Sequence, residues 1–288
     1  MNERFSFKKG HRSRAIFLIC AYAFLVIFML AMIIPVLKVF VDSVDPSASA
    51  QMRIWPQKFD LGAYEQILNR QDLFKPFVIS IITTVVGTVV GLLLTTLAAY
   101  VIIQKDMPGN RFFVNMILFT MLFNGGLIPT YLTVSYLGLM NNFIAVIIPV
   151  TLTAYNIILM KSFFQTIPLA LYEAAKLDGC TPIGIFWRIV LPLSKPALAS
   201  IGLFIAVAMW NDFMHFQLYI QDPMLQNFQL KVRQLVLMDQ AVGTSASLVS
   251  GDMLKSAVII VVMAPFLLVY PFIQKYFQKG VTLGGVKE

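Results

Sequence analysis

Hydrophobic positions in this chain come in long unbroken runs, and the polar positions gather between them. The runs cover 15–41, 77–103, 112–136, 143–160, 197–220 and 253–277. Crossing the hydrocarbon of a bilayer takes roughly 20 residues of helix, and each run is of that order. A segment inside lipid must satisfy its own backbone hydrogen bonds, so each run is predicted to be a helix. Transmembrane strands would alternate over segments of about 10 residues, a pattern the sequence lacks. The expectation is an all-α polytopic membrane protein with six transmembrane helices. The basic stretch "MNERFSFKKGHRSR" resembles the start of a secretory leader. The run after it is much longer than a leader's apolar core and has no small-residue exit, so it is expected to stay as the first span.

The polar intervals set the layout: a tail at 1–14, a transmembrane domain at 15–277 and a second tail at 278–288. Within the domain, 42–76 forms an outer loop. Its segment "WPQKFDLGAYEQIL" predicts a short helix capped by Asp60, with Leu61, Tyr64, Ile67 and Leu68 on one face. Trp55 and Tyr64 suit the membrane interface. The turn "QKDMPGNR" reverses the chain at Pro108-Gly109. The third run contains "FNGGLIPTY", where Gly125, Gly126 and Pro129 predict either a kink or an unwound stretch lining a path, with Asn124 available for hydrogen bonds. The fifth run ends in "MWNDFMHFQLYIQD". Polar groups are costly in lipid, so Trp210, Asn211, Asp212, His215 and Gln217 are expected to face protein, an aqueous cavity or the headgroups.

Composition agrees with this pattern: 58% of residues are hydrophobic and 12% charged, against about one-quarter charged in soluble domains. The net charge of +8 follows from topology. With the N-terminus inside, the inner segments carry most Lys and Arg, including Arg4, Arg14, Lys105, Arg111, Lys161, Arg188, Lys195, Lys275 and Lys287. The outer segments keep Lys38, Arg53, Lys58, Arg70, Lys75, Lys231, Arg233 and Lys255. The bias places both termini in the cytoplasm. Charge scattered over loop ends is not the one-sided basic stripe of a nucleic-acid binder. The sequence has no G-x-x-x-x-G-K-[ST], so ATP phosphates are not cradled that way, and its two histidines form no H-E-x-x-H site. Cys20 and Cys180 are expected to be inert free thiols. A secondary transporter would show paired broken helices and several buried ionisable groups, whereas one broken run and one acid, Asp212, stand out. A membrane hydrolase would need a nucleophile beside His215, and no serine lies near it in sequence.

The loop 161–195 is the densest local signal. In "TIPLALYEAAKLDGC", Pro168 suits a first helical turn and Gly179 the left-handed position after a helix end. In "TPIGIFWRIVLP", Thr181 can cap, Pro182 starts a second helix and Leu191-Pro192 is expected to end it. One possibility is an amphipathic surface helix, but those are rich in Lys and Arg. Here Glu173 and Asp178 oppose a single Lys176, and Ala174, Ala175 and Gly179 remove bulk beside Ile183, Ile185, Phe186 and Trp187. Small residues next to aromatic knobs suit docking into a partner's groove, with Glu173 and Arg188 free for charge pairing.

The stretch "EAAKLDGCTPIGIFWRIVLP" resembles the EAA loop of bacterial ABC importer permeases. Glu173, Ala174, Ala175, Gly179, Ile189, Leu191 and Pro192 fall at that motif's offsets. "WPQKFDLGAYEQIL" and "YFQKGVTLGGVKE" are similar to the carbohydrate-uptake, malG-like branch of binding-protein-dependent type I importers. "FNGGLIPTYL" and "LGLMNNFIAVIIP" resemble its Gram-positive oligosaccharide and complex-glycan subset. Cys180 stands where alanine is commonest. The resemblance implies the type I importer permease fold in the plasma membrane and no enzymatic activity of this chain. It also implies a homologous second permease, two ATPase subunits that hold ATP and Mg, an extracellular sugar-binding protein and a carbohydrate cargo. Glu173, Ala174, Ala175, Asp178 and Gly179 would then couple to an ATPase, and Asn124, Trp210, Asn211 and Asp212 are candidates for the sugar path.

Overall fold

The computed structural model describes residues 6–48, 52–104, 106–241 and 251–285, and these form helices and connecting loops without strands. Arg4, Lys105 and Lys287, used above to orient the chain, lie outside the described residues, as do 1–5 and 286–288 of the two tails. The chain divides into two compact units, Met1–Asn69 with Asp239–Val261, and Arg70–Met238 with Val262–Glu288.

In the first unit, α1 (Ser6–Val44) carries the first apolar run as one helix. Its span is apolar all round and unburied in the single chain, as expected of a helix whose solvent is lipid or another chain. Its end is tied down by the outer loop. The Asp45 carboxylate accepts from Ser47 N (2.9 Å), Ser47 Oγ (2.6 Å) and Gln57 N (2.7 Å). Asp60 N donates to the Val44 carbonyl at 2.8 Å. Helix α2 (Gly62–Asn69) follows, with Asp60 Oδ1 accepting from Gly62 N at 2.7 Å as the sequence suggests. Its inner face differs from expectation. Ala63 and Ile67 are buried and Tyr64 shares a 2.7 Å hydrogen bond with Ser43, while Leu61 and Leu68 point outward.

The second unit is built around α3 (Gln71–Ile103). Between Leu73 and Tyr100, which are buried at its two ends, the helix buries Ser80, Thr83, Gly87, Gly91, Thr95 and Ala99, a stripe of small residues at helical spacing. Small side chains let helix backbones approach closely where lipid supplies no hydrophobic drive between helices. A Cβ on Gly91 would lie 2.4 Å from Thr151 Cβ. Of the stripe's hydroxyls, Thr83 donates within the helix to the Ile79 carbonyl at 2.8 Å and Ser80 donates to Gln229 Oε1 at 2.8 Å, while Thr95 has no partner among the described residues.

The remaining runs are interrupted. The third becomes α4 (Asn110–Leu122) and α5 (Leu127–Tyr136), parted at Gly126 with φ 90°. Pro129 sits harmlessly in the first turn of α5. The fourth splits into α6 (Phe143–Thr151) and α7 (Ala154–Phe164), bent by 49°; Thr153 Oγ1 caps the second arm by accepting from Asn156 N at 3.3 Å. After the loop helix α8 (Leu169–Leu177), α9 (Pro182–Ile185) runs through a π-turn (Phe186–Val190) into α10 (Leu191–Leu193). The expected stop at Leu191-Pro192 therefore comes later, at Ser194. The widened turn carries the helix past a proline that has no N–H to give. The chain then bends by 82° into α11 (Lys195–Asn211), breaks at Asp212 and resumes as α12 (Met214–Tyr219). A 3₁₀ turn (Pro223–Leu225), α13 (Phe228–Ala241) and α14 (Gly251–Gly285) complete the described chain. Two helices, Ile16–Val44 and Gln71–Ile103, are each long and apolar enough to cross a membrane, and the bent pairs raise that number to four among the described residues.

Candidate docking surface

Local chemistry fixes the loop between α7 and α11. Helix α8 ends at Asp178, and Gly179 takes φ 75°. Cys180 N donates back to the Ala175 carbonyl at 2.9 Å and Gly179 N to the Lys176 carbonyl at 3.1 Å. This pair of bonds is the Schellman closure, which needs a left-handed residue that glycine adopts without steric cost. Thr181 then caps α9, its Oγ1 accepting from Gly184 N at 3.2 Å, with Pro182 in the first position. Pro168 stands one residue earlier than a first-turn position, at the cap, with extended ψ of 131°.

The loop has a buried side and an exposed one. Ala175, Ile185, Phe186 and Val190 are buried, and Cys180 packs against the same cluster as a free thiol. Ile185 and Phe186 thus drop out of the apolar surface expected from sequence, Ile183 and Trp187 remain in it, and Leu177 (88% exposed) joins them. Glu173, Ala174, Lys176, Asp178 and Gly179 are exposed beside it. Among the described residues no ion pair engages Glu173, Lys176, Asp178 or Arg188. The result is a rigid small-residue step flanked by apolar knobs and uncommitted charges, a shape suited to a groove on another protein.

Two tyrosines missed in the sequence stand behind this surface. Tyr100, near the end of α3, donates its hydroxyl to the Pro182 carbonyl at 2.8 Å. Tyr172, on α8, has a buried hydroxyl with no partner among the described residues. Burial, and then proximity to Tyr100, pushes the Tyr172 phenol up to about 12. Tyr100 and its acceptor are 82 residues apart, so no local spacing announces the bond.

The candidate path residues occupy the two breaks. Asn124 is exposed, and its Oδ1 accepts from Gly126 N at 2.9 Å. Trp210 is 3% exposed, donates Nε1–H to the Val262 carbonyl at 3.1 Å and meets Phe77 edge to face. Asn211 is exposed and donates to the Val207 carbonyl at 3.0 Å. Asp212 Oδ1 lies 2.8 Å from His215 Nδ1, and its buried Oδ2 has no partner among the described residues. Trp210, Asn211 and Asp212 share the end of α11, with no hydrogen bond to Asn124 among the described residues. Among those residues no group of three or more His, Cys, Asp or Glu is placed to hold a metal.

Comparison with known proteins agrees with these features. Residues 112–283, which include the whole loop, match the family described as binding-protein-dependent transport system inner membrane component. The polygalacturonan/rhamnogalacturonan transport system permease protein YtcP of Bacillus subtilis (strain 168) is 42% identical over 275 residues, covering 92% of this chain and 96% of YtcP. Protein LplC of the same organism is 40% identical over 263 residues, covering 88% of this chain and 89% of LplC. A chain in the crystal structure of a bacterial ABC transporter involved in the import of the acidic polysaccharide alginate superposes with a TM-score of 0.85 at 31% identity, covering 92% of this chain and 98% of that one. The chain belongs to the binding-protein-dependent transport system inner membrane component family and is a permease subunit of an ABC transporter, not an enzyme.

Proposed function

We propose that this chain is one membrane half of an ATP-driven importer for an oligosaccharide or glycan in a bacterial plasma membrane. The observation that carries the reading is the Schellman-closed helix that exposes Glu173, Ala174, Asp178 and Gly179 over the buried Ala175, and stands ready for a partner in a chain with no phosphate loop of its own. In this reading the six runs are six spans, both termini are cytoplasmic, and 161–195 reaches an ATPase subunit that holds ATP and Mg. A homologous permease supplies the other half, and an extracellular binding protein delivers the cargo. The relatives' named cargoes, polygalacturonan, rhamnogalacturonan and alginate, support a carbohydrate.

Coupling is a population shift: nucleotide and loaded binding protein each favour one arrangement of the permease pair and so favour it together. Asn124, Asn211 and Asp212, at helix breaks with exposed or unsatisfied polar atoms, suit hydroxyl recognition along the path. Trp210, with its indole committed to Val262 and Phe77, holds the break in place.

The test is reconstitution of the complex with its binding protein and a panel of glycans, read as stimulation of ATP hydrolysis. Stimulation is expected with a subset of the glycans and is expected to be lost in Gly179→Val, whose β-branched side chain resists positive φ. Full stimulation in that variant contradicts the assignment of the loop. Absence of stimulation by any glycan contradicts the cargo class.

A further inference from the structure

Among the described residues one side-chain hydrogen bond joins the proposed docking loop to helix α3. Around it the packing is apolar: Ala99, Ile102, Ile185, Phe186 and Val190 are buried together. Apolar packing is non-directional and tolerates small sliding of one element on another. Tyr100 adds direction. It is 8% exposed, its ring centroid lies 5.0 Å from that of Phe186, and its hydroxyl donates to the Pro182 carbonyl at 2.8 Å. That carbonyl also accepts from Phe186 N, so the phenol fills its second acceptor site. Phenylalanine would fill the same apolar space, and the oxygen is what fixes the first turn of α9 to the last turn of α3. Helix α3 in turn packs along α11, α7 and α6.

We propose that Tyr100 is the positioning residue that transmits movement between the docking loop and the transmembrane helices. The hydroxyl clamp makes α9 and the cytoplasmic end of α3 move as one piece, so displacement of the loop by an ATPase turns α3 and the helices packed on it instead of being absorbed at the turn. This inference rests on the proposed coupling function of the loop.

Tyr100→Phe in the full reconstituted complex tests it. The variant removes one oxygen and one neutral hydrogen bond. Assembly and basal ATP hydrolysis are expected to be unchanged, while glycan moved per ATP hydrolysed falls about fivefold. A residue with only a structural role would change the amount of complex and leave that ratio alone. Phe186→Leu, which removes the ring contact and spares the hydroxyl bond, is expected to lower the ratio by less. An unchanged ratio in assembled Tyr100→Phe overturns the proposal. Failure of both variants to assemble also overturns it, because the contact is then structural. Gly179→Val separates the two claims. If it loses glycan stimulation while Tyr100→Phe keeps the normal ratio, only the clamp falls; if it keeps stimulation, the coupling role of the loop falls.

Discussion

Asp45 shows how a single residue can organise a loop. The Ser47 hydroxyl, then the backbone N–H groups of Gln57 and Ser47, hold its carboxyl well below the usual carboxylate range, against the opposing effect of burial. The folded loop therefore prefers the ionised form. Its contribution is present above the ordinary value of 3.8 and is lost as pH falls through the depressed range. Limited proteolysis of 52–59 in detergent is expected to show resistance at neutral pH that fades in acid. Asp45→Asn should be cut readily at every pH, since an amide N–H would face the backbone donors; equal resistance in that variant would contradict the account. Residues acting through their neighbours in sequence were legible in advance. Gly179, Thr181 and Asp60 each do the local job their type suggests. The bonds of Asp45 to Gln57 and of Tyr100 to Pro182 were not, because these partners come from 12 and 82 residues away and only the fold brings them close.

At the scale of elements, uniform runs and interrupted runs behave differently. The runs 15–41 and 77–103 are continuous helices within Ser6–Val44 and Gln71–Ile103. The break before α5 was readable because two glycines mark it. Those at Leu152-Thr153 and Asp212-Phe213 carry no glycine or proline at the break itself, so hydropathy alone joined the arms. The small stripe on α3 gives this scale its test. Gly91→Ala forces a Cβ to 2.4 Å from Thr151 Cβ and is expected to cost about 1–3 kcal/mol, the usual range for overpacking. Gly125→Ala, with nothing within 4 Å, should stay within about 0.5 kcal/mol of the parent. Thermal unfolding in detergent compares them, and equal losses would show that close approach of α3 and α6 is not what Gly91 serves.

At the scale of the whole molecule, much of the surface is unfinished by this chain alone. Helix α1 is bare along its span, α4 buries none of its residues, and Leu177 at the docking loop is 88% exposed. A subunit of a larger assembly is expected to look this way, and membership of a binding-protein-dependent transport family explains it. The family was legible in the sequence because the loop motif is local and strict. The proposed path for cargo was less so, since a cavity shared with a second permease would be written half in another chain. The central claim, that the Glu173 to Gly179 segment docks on an ATPase inside the cell, is most directly tested by cross-linking. A single cysteine at Leu177, with Cys20 and Cys180 replaced by alanine, is placed in the assembled complex and treated with a short cross-linker that joins a thiol to a lysine amine. The account predicts an adduct with the ATPase subunit whose yield changes with nucleotide. An assembled complex that gives no such adduct, or whose Leu177→Cys thiol reacts with a membrane-impermeant reagent from outside intact cells, would contradict it.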